Sequence, residues 1–445
     1  MSNNLIENDL EQIYIKLLSL ANSNSKTPFA YDFKQSKLMH TDKMQSTTDD
    51  STSKNEFVCF VDISELIRTR ASTGIQRVVK EFISRAIKHQ NFIIILFNYE
   101  TGGFEKIKNH EVLLFLSDTK NYKFIDTEPF EILTINIDNK IFFDIDSVWN
   151  SPLSRAELYP KLKSCDFVIM NFMYDLIPIV MPDVFMSHTV QNFCMCLSAI
   201  LTNSDCVLFD SNSAESDFIK IKNTVNINRQ INTSVVYLGN DFQKYQTQCQ
   251  IDLYENILNK KFILFVGTIE PRKRHDVVLE AFEVLSKKYD DLHLVFIGKE
   301  GWMVREFVDK LTSNPLFAKK IHWLRETNDD ILEKFYKKCF LTVYLSDYEG
   351  YGLPVAESLK YGNIIIASDN SSIREVGGEF SDYIDNKSSN LIKKIINWIE
   401  NNQLYLQKKS YIKHNYKQIG WDDFFIIVSG KINKKLSNRN KKIAT

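Results

Sequence analysis

Residues 340–369 read FLTVYLSDYEGYGLPVAESLKYGNIIIASD. The stretch opens and closes on short, continuous apolar runs, FLTVYLS and NIIIASD, rich in β-branched and aromatic residues. Runs of that length and composition read as buried strands. Between them PVAESLKYG reads as a helix, and Pro354 suits its first turn, where a missing N–H costs nothing. Strand, helix and strand in succession make a β–α–β unit with parallel strands covered on both faces.

The same alternation extends outward in both directions. Before this unit come KFILFVGT, a helix over 276–289, LHLVFIGK, a helix near 303–312, IHWLRE and the helical DDILEKFYKKC. Further upstream an irregular stretch, NDFQKYQTQCQIDLYENILNK, interrupts the pattern up to about residue 260. Upstream of the break the alternation recurs in FVCFVDI, FIIILFNY, KIFFDI, DFVIMNFMYDLI, DCVLFDS and SVVYLG. Helical stretches lie between several of them: TGIQRVVKEFISRAI, VQNFCMCLSAIL and AESDFIKIKN. The first of these has apolar residues at 75, 78, 79, 82, 83 and 86, one face of a helix. Two such runs predict an α/β protein of two doubly wound domains with parallel sheets, ligands being expected at the carboxyl ends of the strands. The length of 445 residues suits two domains of ordinary size. The expected division is an amino-terminal helix and polar linker over 1–55, a first domain over 56–245 and a second over 246–410. A carboxy-terminal helix over 411–445 then crosses back to the first domain and ends in a basic tail.

Composition narrows the function classes. Lys plus Arg number 55 against 56 Asp plus Glu, so no global field points to nucleic acid. No apolar run reaches the roughly 18 residues of a bilayer-spanning helix. The first residues, MSNNLIENDLEQIYIKLL, are acidic and amphipathic and do not read as a secretory signal. Seven cysteines at scattered spacings fit a reduced, cytoplasmic compartment. The tail over 431–445 carries six Lys or Arg and no acid; it is either a solvated end or a contact for an anionic inner-membrane surface. The sequence leaves the oligomeric state open.

Within the opening stretch, Gly350 and Gly352 remove side chains at a helix start, where free N–H groups and the helix dipole favour phosphate oxygens. Glu349 and Glu357 flank that cradle. Carboxylates repel phosphate, but as pure acceptors they suit the vicinal hydroxyls of a ribose or a hexose. Cradle and flanking acids together fit a nucleotide-sugar, with hydroxyls on both sides of a diphosphate. Positive charge for that diphosphate comes from VGTIEPRKRHDVVLEAF, where Arg272, Lys273 and Arg274 fall in the loop before a helix, close to Gly267.

VGTIEPRKR followed by SDYEGYGLPVAESLKYGNIIIASDNSSIREVGG resembles the retaining glycosyltransferases of family 4, the glycosyl transferases group 1, which have the two-Rossmann GT-B fold. That family carries a Glu-x7-Glu motif, matched by Glu349 and Glu357. In the first half, TGIQRVVKEF resembles the family's glycine loop and helix, in the version seen in bacterial polysaccharide mannosyltransferase-like enzymes. YDLIPIVMPDVF resembles its His-Asp region, and VVYLGND the end of its interdomain strand. The resemblance covers roughly residues 57–430. It implies that Glu357 binds the donor ribose, Glu349 contacts the transferred sugar, and the backbone of Gly350, Tyr351, Gly352 and Leu353 touches sugar and phosphate. It further implies that Lys273 pairs with the diphosphate, that Gly74 lies near donor phosphate or acceptor, and that Asp175 belongs to the active site. Two residues depart from the pattern. Thr268 stands where many members have arginine, with Arg272 the available substitute, and Tyr174 stands where many have histidine.

The expected reaction is transfer of a hexose from GDP-mannose or a UDP-hexose to a hydroxyl acceptor with retention of configuration, in glycan or surface-polysaccharide assembly. The acceptor is a glycan or lipid-linked chain by family inference, and no cofactor or metal is expected. Asp144-x-Asp146 has metal-pair spacing but too few ligands; it reads as structural or as an acceptor-side feature. His188, His275, His293 and His322 show no zinc spacing. The readings left open are a non-catalytic sugar- or nucleotide-binding partner of another transferase, and an epimerase or phosphorylase on a related scaffold.

Overall fold

The computed structural model describes residues 57–71, 73–124, 126–135, 137–242 and 254–443, with side chains described as far as residue 434. The expected amino-terminal helix and linker, the middle of the irregular break and most of the basic tail's side chains lie outside the described residues. Two sheets organise the rest. The first holds β1 (Val58–Asp62), β2 (Phe92–Asn98), β3 (Gly103–Ile107), β4 (Thr127–Phe130), β5 (Lys140–Asp144), β6 (Val168–Met173), β7 (Cys206–Phe209) and β8 (Asn232–Val235), in the order 4-3-2-1-5-6-7-8. The second holds β9 (Lys261–Val266), β10 (Leu292–Ile297), β11 (Ile321–Leu324), β12 (Leu341–Tyr344), β13 (Ile365–Ser368) and β14 (Asp382–Ile384), in the order 11-10-9-12-13-14. The second sheet is parallel throughout.

Each order reverses once, between β1 and β5 and between β9 and β12. The strands on either side of a reversal send their following helices to opposite faces, which leaves a crevice at their carboxyl ends. The glycine turn of 350–352 follows β12, and the Arg272–Lys273 loop follows β9, so both open at the second switch point.

The first sheet corrects the expectation of purely parallel strands. β2, β3 and β4 run antiparallel at its edge. The turn between β2 and β3 ends on Gly102 and Gly103, and Gly102 takes φ 75°, a left-handed value that favours glycine. Glu105, Lys106 and Glu128 give this edge a polar composition, unlike the apolar runs of the central strands.

The helices that matter for the site are α1 (Gly74–Ala86), α2 (Arg155–Ser164), α3 (Asn212–Thr224), α4 (His275–Leu285), α5 (Asp329–Lys338), α6 (Leu353–Lys360) and α7 (Trp421–Ile443). α1 buries Val78, Val79, Phe82, Ile83 and Ala86 against the first sheet, the face that its apolar spacing marks. α7 places Trp421, Phe424, Phe425, Val428 and Ile432 in that same core, although it follows the second domain in the chain. Phe425 packs against Phe82 and Phe92 at ring-centroid distances of 5.3 and 5.7 Å.

Candidate active site

The glycine turn dictates the geometry around it. Gly352, the residue before α6, has φ 93°, a conformation that a side chain would strain. A Cβ on Gly350 would lie 2.3 Å from the Tyr174 carbonyl oxygen and 2.9 Å from the Asp175 Cβ, so the two domains meet backbone to backbone there. Ser211 Oγ, at the end of β7, donates to the Gly350 carbonyl at 2.6 Å. A Cβ on Gly74, at the start of α1, would be 3.4 Å from Leu353. The amino termini of α1 and α6 therefore approach each other across the cleft.

On one side of the turn a charged cluster forms around Glu349. Its Oε1 lies 2.6 Å from Arg272 Nη1 and 3.5 Å from Lys273 Nζ. Arg272 Nη2 pairs with Glu270 Oε1 at 2.8 Å, and Lys273 donates to Tyr344 Oη at 3.1 Å. Burial alone would raise the Glu349 carboxyl, but the two cations outweigh it and hold the group down at about 2. Burial disfavours the Lys273 ammonium, yet Glu349, Tyr344 and Glu270 together more than compensate and raise it. Gly267 makes room for this lysine: a Cβ there would come within 3.2 Å of its Cδ. Arg272 thus brings a guanidinium to Glu349 from a position four residues after Thr268, where the family pattern has its arginine.

Glu357 lies on the other side of the turn and is 3% exposed. Its Oε2 accepts a hydrogen bond from Tyr336 Oη at 2.8 Å, and its Oε1 pairs with Arg77, which crosses from α1 of the first domain. Arg77 also pairs with Asp329 at the start of α5. Asp175 joins from the first domain, its Oδ1 accepting from the Ile177 amide at 3.0 Å. Burial pushes its carboxyl up to about 6 against the opposing pull of Arg272, with Glu349 and Glu270 adding to the rise.

The structure thus brings Lys273, Arg272, Glu349, Asp175, Gly350, Gly352, Leu353, Gly267, Gly74 and Glu357 to one cleft between the domains. Tyr351 shares the turn through its backbone, while its ring enters the first-domain core and its hydroxyl donates to the Leu238 carbonyl at 3.2 Å. Sequence reasoning missed Arg77, Tyr336, Glu270, Tyr344 and Asp329. Of these, Glu270 and Tyr344 are close in sequence to the quoted motifs, whereas Arg77 meets Glu357 from 280 residues away.

Asp144 and Asp146 part company. Asp144 accepts from Arg155 at 2.7 and 2.9 Å and from Tyr159 at 2.6 Å, all inside the first core. Asp146 Oδ1 accepts from the Ser147 amide at 2.7 Å, while its Oδ2 has no partner. His293 and His322, from β10 and β11, stack with nitrogens 3.1 Å apart, a pair that only strand pairing brings together. His275 lies between Phe265 and Phe296 as packing, and burial pulls its imidazole down to about 3.

Further contacts hold the cleft together. Trp302 Nε1 donates to the Val184 carbonyl at 2.6 Å and its ring stacks on Phe185. Glu375 caps the amide groups of Asn212 and Ser213 at the start of α3, at 2.8 and 2.7 Å. Tyr348 donates to Asp217.

Residues 229–418 match the family model of the glycosyl transferases group 1. The serotype-specific mannosyltransferase WbdA of Escherichia coli is 26% identical over 381 residues, which are 81% of this chain and 44% of WbdA. The chain therefore spans less than half the length of that relative. Among solved structures, Anabaena Alr3699/HepE in complex with UDP and glucose superposes with TM-score 0.61 at 12% identity, covering 85% of this chain and 99% of HepE. Sucrose-phosphate synthase of Thermosynechococcus elongatus superposes with TM-score 0.60 at 13% identity, covering 86% and 100%. The two-sheet architecture is the GT-B fold, and residues 229–418 are similar to the glycosyl transferases group 1.

Proposed function

We propose that this chain is a retaining, metal-independent glycosyltransferase of the family 4 type. Its donor would be a nucleotide-diphosphate hexose, GDP-mannose or a UDP-hexose, and its acceptor a hydroxyl on a glycan or lipid-linked chain in bacterial surface-polysaccharide assembly. The observation that carries the reading is the convergence of Arg272, Lys273 and Glu349 on one side of the glycine turn, with Glu357 on the other. The mannosyltransferase name of the WbdA relative favours mannose, and the UDP and glucose held by HepE favour a uridine donor; the two donor classes stay side by side.

In this reading the anomeric C1–O bond to the diphosphate breaks while the acceptor oxygen bonds to C1 on the same face. The acceptor proton passes to the departing phosphate oxygen. Negative charge grows on the diphosphate, and Arg272, Lys273 and the amide groups at the start of α6 are the groups that stabilise it. Glu349 keeps both cations in place before the donor arrives and then offers its lone pairs to the sugar hydroxyls. The cleft walls exclude water, which limits hydrolysis of the donor. Peripheral contact of the basic tail with a membrane belongs to the same proposal.

Incubation with GDP-mannose, UDP-glucose and UDP-N-acetylglucosamine, read as release of free nucleotide with and without acceptor, tests the reading. Lys273→Ala is expected to lose release by two to four orders of magnitude while the far-ultraviolet circular dichroism of the fold persists. Full turnover in that variant overturns the role given to Lys273.

A further inference from the structure

Arg272, Lys273 and the amide groups at the start of α6, assigned above to the departing diphosphate, all belong to the second domain. Water is kept from the reacting carbon where the two domains meet, and Gly350 against Tyr174 and Asp175 is one such meeting. Trp302 makes another. It leaves the loop after β10, and that loop is joined to the cation cluster. Ile269 and Glu300 pair in a bridge, Gly301 donates to the Ile269 carbonyl at 2.9 Å, and a Cβ on Gly301 would lie 2.5 Å from that same oxygen. Glu270, the next residue, holds Arg272. Across the cleft, Trp302 Nε1 donates to the Val184 carbonyl at 2.6 Å and its ring stacks on Phe185 with centroids 5.3 Å apart. Val184 ends the turn Pro182–Val184, which follows the short helix Ile177–Val180, and the first amide of that helix donates to Asp175. Met303, next in the chain, takes φ 56°, a left-handed value that a methionine rarely adopts, while its side chain is 56% exposed. The strained backbone does not serve the packing of Met303; it aims the indole beside it.

We propose, on the transferase reading given above, that Trp302 is a positioning residue that decides between transfer and hydrolysis: its clasp on Val184 and Phe185 keeps water from the anomeric carbon while the cations act on the diphosphate. The competing reaction balances as transfer does. A water oxygen bonds to C1 as the C1–O bond to the diphosphate breaks. One water proton passes to the departing phosphate oxygen, and the free hexose keeps the other. Arg272, Lys273 and α6 stay in place when the clasp opens, so the leaving group is still stabilised and admitted water reacts. Loss of the clasp therefore raises hydrolysis and does not abolish turnover. The indole supplies both a donor N–H and a flat apolar ring, so one side chain makes both halves of the contact; phenylalanine keeps the ring alone.

Nucleotide release by the full chain from GDP-mannose and from UDP-glucose, with no acceptor present, tests this beside calorimetric titration with GDP and UDP. Trp302→Ala is expected to raise acceptor-independent release by about tenfold, the effect of one hydrogen bond and one ring stack on an opening equilibrium, with nucleotide affinity unchanged. Trp302→Phe is expected to give a smaller rise and carries the test if the alanine variant does not fold. Phe185→Ala should give a rise of its own, and the double variant no more than Trp302→Ala alone, because the two rings form a single contact. A faster reaction with water is a result that damage to the fold does not produce. Unchanged or slower release in both Trp302 variants overturns the role given to Trp302 and leaves the transferase reading intact. Failure of the wild type to bind either nucleotide overturns both.

Discussion

At the scale of single residues the cleft is a set of charges with fixed partners, and their titration follows from those partners. Asp146 has one bonded and one partnerless oxygen, and burial pushes its carboxyl up to about 6. A carboxyl raised in the folded state adds stability below its unfolded value, and that stability is lost as pH rises through the folded value. The stability difference between Asp146→Asn and the wild type should therefore change by on the order of 2 kcal/mol between pH 4 and pH 8, favouring the variant at the alkaline end. Denaturant titrations at the two pH values measure it, and a pH-independent difference would reject the assignment. Glu349, Glu357 and Lys273 were legible in the sequence because the site chemistry they imply is written in short, contiguous stretches. Arg77 was not, because an arginine on a helix face reads as solvated until the fold brings a carboxylate from the other domain to it.

At the scale of elements the turn between β12 and α6 is where the two domains meet backbone to backbone. A methyl group at Gly350 would meet the Tyr174 carbonyl at 2.3 Å, and backbone cannot yield as the end of a flexible side chain can. Gly350→Ala is expected to leave each domain folded but to hold the cleft apart. Small-angle scattering should show a larger radius of gyration, and transfer should fall at least tenfold through misplacement of the reacting groups. A variant as compact and as active as the wild type would refute this. The central strands and the site-bearing helices were legible because their apolar periods are unbroken. The β2–β3–β4 edge was not, since Tyr99, Glu100, Thr101 and Gly102 between β2 and β3 do not by themselves state which way the chain returns.

At the scale of the whole molecule the two cores are joined twice, once by the chain between β8 and β9 and once by the approach to α7. That second crossing is tight: a Cβ on Gly239 would lie 2.5 Å from Trp421, and the Trp421 indole donates to the Asp241 carbonyl at 2.9 Å. The first core contains five residues from beyond position 420. Removing one large aromatic from such a core costs about 3–5 kcal/mol, so loss of all five is incompatible with a stable first domain. A chain ending at residue 415 should therefore leave residues 57–242 open to limited proteolysis, whereas the intact protein resists; protection in the shortened chain would disprove it. The consequence reaches into synthesis. A ribosome makes β1–β8 before the second sheet but cannot finish the first domain then, because its last wall, α7, is translated after the second sheet. Until Ile432 clears the exit tunnel, the nascent protein carries an unsealed apolar surface that chaperones must guard.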